Sequence, residues 1–395
     1  MTLTAAKATV PDVVDVLGVD ALLSNEERLV RDTVRGFVRD RVLPNIAQWF
    51  EDGILPRELG RELGKLGLLG MHLDGYGCPG ASAVAYGIAC MELDAGDAGV
   101  RSFCSVQGSL AMYAIYRWGS EQQKQQYLPA MARGELIGCF GLSEPDFGSN
   151  PAGMRTFARR DGDDWILSGT KMWITNGSLA DVAIVWANTD EGIRGFIVPK
   201  ISKGFTSSDI HRKMSLRASI TSELVFDEVR LPNDAVLALA HGLAGPLACL
   251  TEARFGIIWG TMGSARACYE AALDYAKTRI QFDKPLAAFQ LTQQKLVNML
   301  LELNKGTLLA LHLGRMKDQG RLHSSQISFG KLNNVREALK IARAARTVLG
   351  ACGVTLEYPV IRHMNNLESV LTYEGTSEIH TLVLGQHVTG IAAFG

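Results

Sequence analysis

The sequence predicts a mainly α-helical protein with a central β domain. Three observations carry this expectation. Leucines step by four and three at Leu59, Leu63 and Leu66, as on one helix face. Short apolar runs broken by turn signals then fill the chain from Leu136 to Leu231. After Pro232 the helical step returns, at Leu296, Leu300 and Leu303. The expected organisation is an N-terminal helical domain over residues 1–135, a small β-barrel or sandwich over 136–240, and a C-terminal four-helix bundle over 241–395.

The elements follow in order. Ser24 precedes Glu27 by three residues, a capping-box signal for a helix start. Breaks are expected at Gly75 to Gly80 and around Gly96 to Gly99. In the β region, Val182, Ile184 and Trp186 alternate with Ala183, Val185 and Ala187, so both faces of that strand read as buried. Phe157 to Arg160 and Trp165 to Leu167 flank Asp161-Gly162, a hairpin-turn pair. Phe196 to Val198 and Leu224 to Phe226 read as further short strands. Lys331 to Leu349 has few breakers and suits a bundle helix.

Composition narrows the function. The chain has 395 residues, is 47% hydrophobic and 21% charged, and carries a net charge of -1. With no basic surplus, nucleic acid and acidic membrane surfaces are not expected partners. Seven cysteines occur without a CxxC pair, and the eight histidines show no HExxH spacing, so no metal site is expected. His363 and His380 read as packed or surface residues. The N-terminus, with Asp12, Asp15 and Asp20 and no arginine before Arg28, lacks signal- and transit-peptide patterns. No early apolar stretch approaches the roughly 20 residues needed to span a bilayer. A cytoplasmic protein without membrane insertion is expected. There is no Walker loop and no Gly-x-Gly-x-x-Gly after a strand.

Tyr373-Glu374-Gly375-Thr376 sets one carboxylate between the apolar run Leu367 to Leu371 and a glycine turn. Shelter from water would raise the Glu374 pKa, as a base for a carbon-bound proton requires. From the tetrapeptide alone, a surface glutamate at a helix start is the favoured reading.

Four motifs in order give the chain a resemblance to the acyl-CoA dehydrogenase flavoprotein family, covering about residues 20–393. They are Gly141-Leu142-Ser143-Glu144-Pro145 with Gly148-Ser149, Trp173-Ile174-Thr175-Asn176, Arg279-Ile280-Gln281-Phe282 with Gln290, and Tyr373-Glu374-Gly375-Thr376. The resemblance implies FAD as cofactor. It sets Phe140, Leu142 and Ser143 along the flavin, packs Trp173 on its ring and directs the Thr175 hydroxyl to N5. It implies that Arg279, Gln281, Phe282 and Gln290 contact the FAD of a neighbouring subunit in a homotetramer. It adds Gly350, Thr376 and Glu378 to the cofactor set, although Gly350-Ala351-Cys352-Gly353 departs from the family's Gly-Gly-Asn-Gly-like turn. Asn150 likewise stands where the family has aspartate. Read locally, Trp173 is a core aromatic and Arg279 a cation at a helix C-terminus.

The resemblance makes Glu374 the catalytic base, its backbone amide helping to polarise an acyl-CoA thioester. The alternative base position of some relatives is occupied here by Ala253, with Glu252 one residue away. Arg254 resembles the family's substrate-side arginine, or forms a structural ion pair. Val106, Ser149, Tyr373 and Gly375 join the substrate side. Arg101-Ser102, within the segment ending at Gln107, resembles glutaryl-CoA dehydrogenases, in which this pair binds the substrate's distal carboxylate. Locally, Arg101 is equally a loop arginine after Gly99. The implied function is oxidation of glutaryl-CoA with decarboxylation to crotonyl-CoA, electrons passing to electron-transfer flavoprotein. Alternatives are a short-chain acyl-CoA dehydrogenase, a non-decarboxylating glutaryl-CoA dehydrogenase and a non-catalytic CoA-ester-binding protein.

Overall fold

A computed structural model describes residues 13–393. Asp12, used above in reading the N-terminus, lies outside the described residues. Seven helices come first: α1 (Asn25–Phe37), α2 (Ile46–Asp52), α3 (Leu59–Lys65), α4 (Ala83–Gly96), α5 (Ala98–Ser105), α6 (Tyr113–Trp118) and α7 (Glu121–Ala132). A two-residue ladder, β1 (Asp74–Gly75) with β2 (Cys78–Pro79), fills the first expected break. The second falls at Asp97, between α4 and α5. The Ser24–Glu27 capping box forms in both directions. Leu59 and Leu63 are buried, but Leu66 lies past the end of α3 and stays 37% exposed. The four-and-three step overran the helix there by one residue.

The middle of the chain is one curled sheet: β3 (Gly138–Gly141), β4 (Phe157–Asp161), β5 (Asp164–Thr175), β6 (Val182–Thr189), β7 (Gly192–Pro199), β8 (Phe205–Asp209) and β9 (Thr221–Leu231). Strand β6 pairs along its length with β7, and its other edge is taken by β3 and then β4. Both faces of β6 are buried, as its composition predicts. Ala183, Val185 and Ala187 fill the sheet's own core, whereas Val182, Ile184 and Trp186 pack into the helical core. The β4–β5 turn is Gly162-Asp163, one residue later than expected, because Asp161 still pairs with Asp164. Strand β8, with alternating half-buried and exposed residues, carried no apolar signal.

A small β10 (Ile280–Gln281) and β11 (Lys284–Pro285) hairpin follows helix α8 (Ala244–Thr278). Then come α9 (Gln290–Asp318), α10 (Ser324–Leu349), α11 (Val360–Val370) and α12 (Ser377–Thr389). The middle of helix α8, Phe255 to Ala265, is buried all round because it serves two cores. Ile258 and Trp259 join the N-terminal core; Ile257, Met262 and Ala265 join the bundle core. Among the described residues there is no metal-binding cluster, and no helix is long and apolar enough to cross a membrane. The seven cysteines are free thiols.

Helix α4 meets α8 backbone to backbone. A Cβ on Gly263 would stand 1.9 Å from the Met91 carbonyl oxygen. Gly263→Ala should therefore destabilise the protein by about 1–3 kcal/mol, as overpacking does. Gly385→Ala, in open space on α12, should be neutral or stabilising by up to about 1 kcal/mol. Thermal unfolding of the two variants checks both signs.

Candidate functional site

The turn between α11 and α12 carries Tyr373, Glu374 and Gly375. Glu374 has φ 52° and Gly375 φ 95°, so the chain reverses through the left-handed region. That conformation is costly for a glutamate and must be held by its surroundings. Two cations hold it. The Arg254 Nε on α8 donates to the Glu374 carbonyl at 2.7 Å. The Lys331 ammonium on α10 donates to the Tyr373 carbonyl and, at 2.6 Å, to the Gly375 carbonyl. Thr376 Oγ1 then caps α12 by accepting from the Ile379 amide. Glu378 is exposed in the first turn of α12.

The Glu374 side chain is half-buried. Its Oε2 is buried with no hydrogen-bond partner. Loss of water raises its pKa above the ordinary 4.5, against the pull of Arg101, Lys331 and Arg254. Three cations therefore face the carboxyl alongside the buried Leu367 and Val370 of the preceding run. The same burial lowers Lys331 to about 7, with Glu374 opposing and Arg254 and Arg101 adding to the effect. Burial also lowers Arg254, opposed by Glu374. It holds His380 down to about 3, aided by Lys331 and Arg254, so this imidazole is neutral. His380 is packed: its Nδ1 lies 3.0 Å from Ser328 Oγ.

Arg101 is helical and 1% exposed, so the loop-arginine reading does not hold. Its Nε donates to Asp94 Oδ2 at 3.0 Å and its Nη2 to the Tyr373 hydroxyl at 2.5 Å. Asp94 also accepts from Ser264, whose Oγ lies 3.1 Å from His363 Nδ1. Burial acts against the Arg101 charge, but Tyr373, Asp94 and Glu374 outweigh it and keep the guanidinium protonated. Burial lifts Tyr373 to about 12 against Arg101. Ser102 and Val106 are buried on the same helical stretch.

A second group stands on the sheet. Phe140 and Leu142 are buried at the end of β3, and the Ser143 carbonyl accepts from the Met172 amide. Trp173, at φ 64°, is 62% exposed. It is therefore not a core aromatic but an open platform that suits a flat ring. Thr175 closes β5 and is half-buried, and Ser149 is exposed. Behind this rim Lys171 Nζ donates to the Leu142 carbonyl at 3.0 Å and to Glu144 Oε1 at 2.9 Å. Glu144 in turn accepts from the Arg155 and Thr156 amides.

The third group lies elsewhere. Arg279, Gln281, Phe282, Gln290 and Gly350 are all exposed, and Phe282 is 87% exposed at φ 51°. Arg254 and Arg279 stand at positions 25 residues apart on and just past α8, which is roughly 38 Å along a helix axis. One chain does not bring these residues to Glu374. Glu252 pairs with Lys317 at 2.7 Å, facing away from the Glu374 turn.

Sequence reasoning missed Lys331 and Asp94. Lys331 reads as one more cation on a long helix, and only the fold shows that it is 2% exposed. Asp94 and Arg101 sit on different helices, with the break at Asp97 between them, so no helical spacing rule links them.

Profiles of the acyl-CoA dehydrogenase N-terminal, middle and C-terminal domains match residues 24–135, 139–229 and 240–389. Glutaryl-CoA dehydrogenase from Mycobacterium smegmatis superposes with TM-score 0.95 at 68% identity, covering 96% of this chain and 99% of that one. A glutaryl-CoA dehydrogenase of that organism in complex with FADH2 gives TM-score 0.96 at 63% identity, covering 97% and 99%. The short-chain specific acyl-CoA dehydrogenase of Bos taurus mitochondria is 35% identical over 374 residues, 93% of this chain and 90% of the relative. The chain belongs to the acyl-CoA dehydrogenase family.

Proposed function

We propose that this chain oxidises glutaryl-CoA and decarboxylates the product to crotonyl-CoA. The observation that carries the reading is the meeting of a half-buried glutamate and a buried arginine at one turn. An unpartnered carboxyl oxygen on Glu374 adjoins Tyr373, and the Tyr373 hydroxyl touches the buried Arg101. This contact supports reading Glu374 as the base and Arg101 as the cation for a distal carboxylate. The 63–68% identity to glutaryl-CoA dehydrogenases supports the same reading.

Glu374 removes the Cα proton, which the thioester makes acidic. Its own backbone N–H makes no hydrogen bond among the described residues and is free to donate to the thioester oxygen. FAD, when bound, supplies the sink for the hydride that leaves Cβ. The exposed Trp173 face, the Ser143 hydroxyl and Thr175 suit its ring. Arg101 holds the distal carboxylate; its Nη1 has no hydrogen bond among the described residues, which leaves a donor for it. Loss of CO₂ from the oxidised acyl chain leaves a dienolate. The proton carried by Glu374 then returns to it, giving crotonyl-CoA.

Arg279, Gln281, Phe282 and Gln290 serve the cofactor of a neighbouring subunit, since their own Glu374 is out of reach. The proposal extends to a homotetramer that passes electrons to electron-transfer flavoprotein and acts in cytoplasmic amino-acid degradation. One observation favours a second reading. Arg101 already has Asp94 as a counter-charge, so it also fits a short-chain acyl-CoA dehydrogenase in which the arginine is structural.

Incubation with glutaryl-CoA and an artificial acceptor should yield crotonyl-CoA by mass. Glutaconyl-CoA would indicate oxidation alone, and consumption of butyryl-CoA instead would support the second reading. Glu374→Gln should retain FAD and lower turnover by about 10²–10⁴-fold. In the unaltered protein kcat/KM should fall as pH drops through a value above 4.5, because burial raises the Glu374 pKa and only the carboxylate accepts a proton. Arg101→Ala combined with Asp94→Asn avoids an uncompensated buried aspartate. It should reduce glutaryl-CoA turnover far more than butyryl-CoA turnover, as steady-state assays of both substrates would read.

A further inference from the structure

Three consecutive carbonyls, those of Tyr373, Glu374 and Gly375, are each held by a cation, the half-buried Arg254 or the buried Lys331. Lys331 holds the two outer ones. A lysine on a helix normally extends its stem until the ammonium reaches water. Lys331 instead ends 2% exposed, and its hydrogen-bond partners are neutral carbonyls. A buried ammonium so placed needs a nearby negative charge, and Glu374 is the carboxylate that acts on it. Yet Glu374 forms no ion pair among the described residues, and its Oε2 stays unpartnered. A direct salt bridge would occupy the oxygen that must take a proton. Through-space charge leaves it free.

Resting on the reading of Glu374 as base, we infer that Lys331 is its positioning residue: the ammonium clamps the carbonyls on either side of Glu374, fixes the left-handed turn that presents the carboxyl, and supplies the positive charge that keeps it ionised. The other groups facing this carboxyl are Arg101 on α5, Arg254 on α8, the neutral His380 on α12 and the protonated Tyr373. Arg254 holds only the central carbonyl. Without Lys331 the outer two lose their donor. Lysine suits the task because its three donors diverge from one compact charge, whereas the flat arginine fork is built for parallel acceptors. Burial lowers the Lys331 ammonium to about 7, so it carries its charge on the acid side of neutrality. Its loss therefore shifts the Glu374 proton affinity upward.

The test uses the FAD-loaded protein and the variants Lys331→Met, Lys331→Gln and Lys331→Arg, with Glu374→Gln to assign the Glu374 carboxyl band by infrared difference. The Met and Gln variants should raise the pH at which Glu374 gains its proton by about one unit or more. The acid limb of kcat/KM for glutaryl-CoA should move by the same amount, with kcat falling more than KM rises. Lys331→Arg should restore the wild-type midpoint but not the full kcat. If the Met variant fails to fold, the Gln variant, which keeps two N–H donors, decides. An unchanged midpoint in Lys331→Gln, with only a lowered melting temperature, would overturn the inference. Retained activity in Glu374→Gln would overturn the underlying reading instead, while the infrared midpoint would still report on Lys331.

Discussion

The site depends on the direct contact between α4 and α8. With no side chain at Gly263, the Met91 carbonyl approaches the α8 backbone itself. That closeness carries Asp94, near the end of α4, within reach of Ser264 on α8. It also sets Arg101, seven residues on and past the Asp97 break, against the Tyr373 turn. Asp97 secures the break: it caps α5 through the Gly99 amide and accepts from Arg362 and Asn366 of α11. Arg101 and Tyr373, 272 positions apart in the chain, thus meet through backbone contact and one capping carboxylate.

Charge is then concentrated where water is scarce. Arg101, Arg254 and Lys331 surround Glu374, while Asp94 balances part of that excess. Burial and the cations oppose one another in setting the Glu374 proton affinity. A carboxyl in apolar surroundings would be a stronger base but mostly protonated; one in a salt bridge would be ionised but inert. The cations act here at a distance through the turn's backbone, so ionisation and availability are both retained. The cost falls on the backbone, in a glutamate at φ 52°.

The layered order of helices, sheet and helices was legible because hydrophobic period changes twice along the chain, near Leu136 and Pro232. The double burial of β6 was legible for the same reason: its alternation had no polar phase. Glu374 and Arg101 were legible as residues, but not their partners. Asp94–Arg101 and Lys331–Gly375 are tertiary pairs, and no local rule links a helix lysine to a carbonyl 44 residues on. Leu66 and the β4–β5 turn slipped by one residue each, since periodicity locates a segment better than its end. Trp173 departs only from its local reading as a core aromatic: it is 62% exposed.

Helix α8 acts as a ruler. It carries Arg254 in its first third, and Arg279 stands roughly 38 Å further on. If the far end completes a neighbour's site, lesions at the two ends are genetically distinct. A chain defective at Glu374 still offers an intact Arg279 to the subunit beside it. A chain defective at Arg279 keeps its own base. Co-expressed, two such inactive alleles would assemble mixed particles in which some centres draw every group from undamaged segments, and activity absent from either parent would reappear by intragenic complementation.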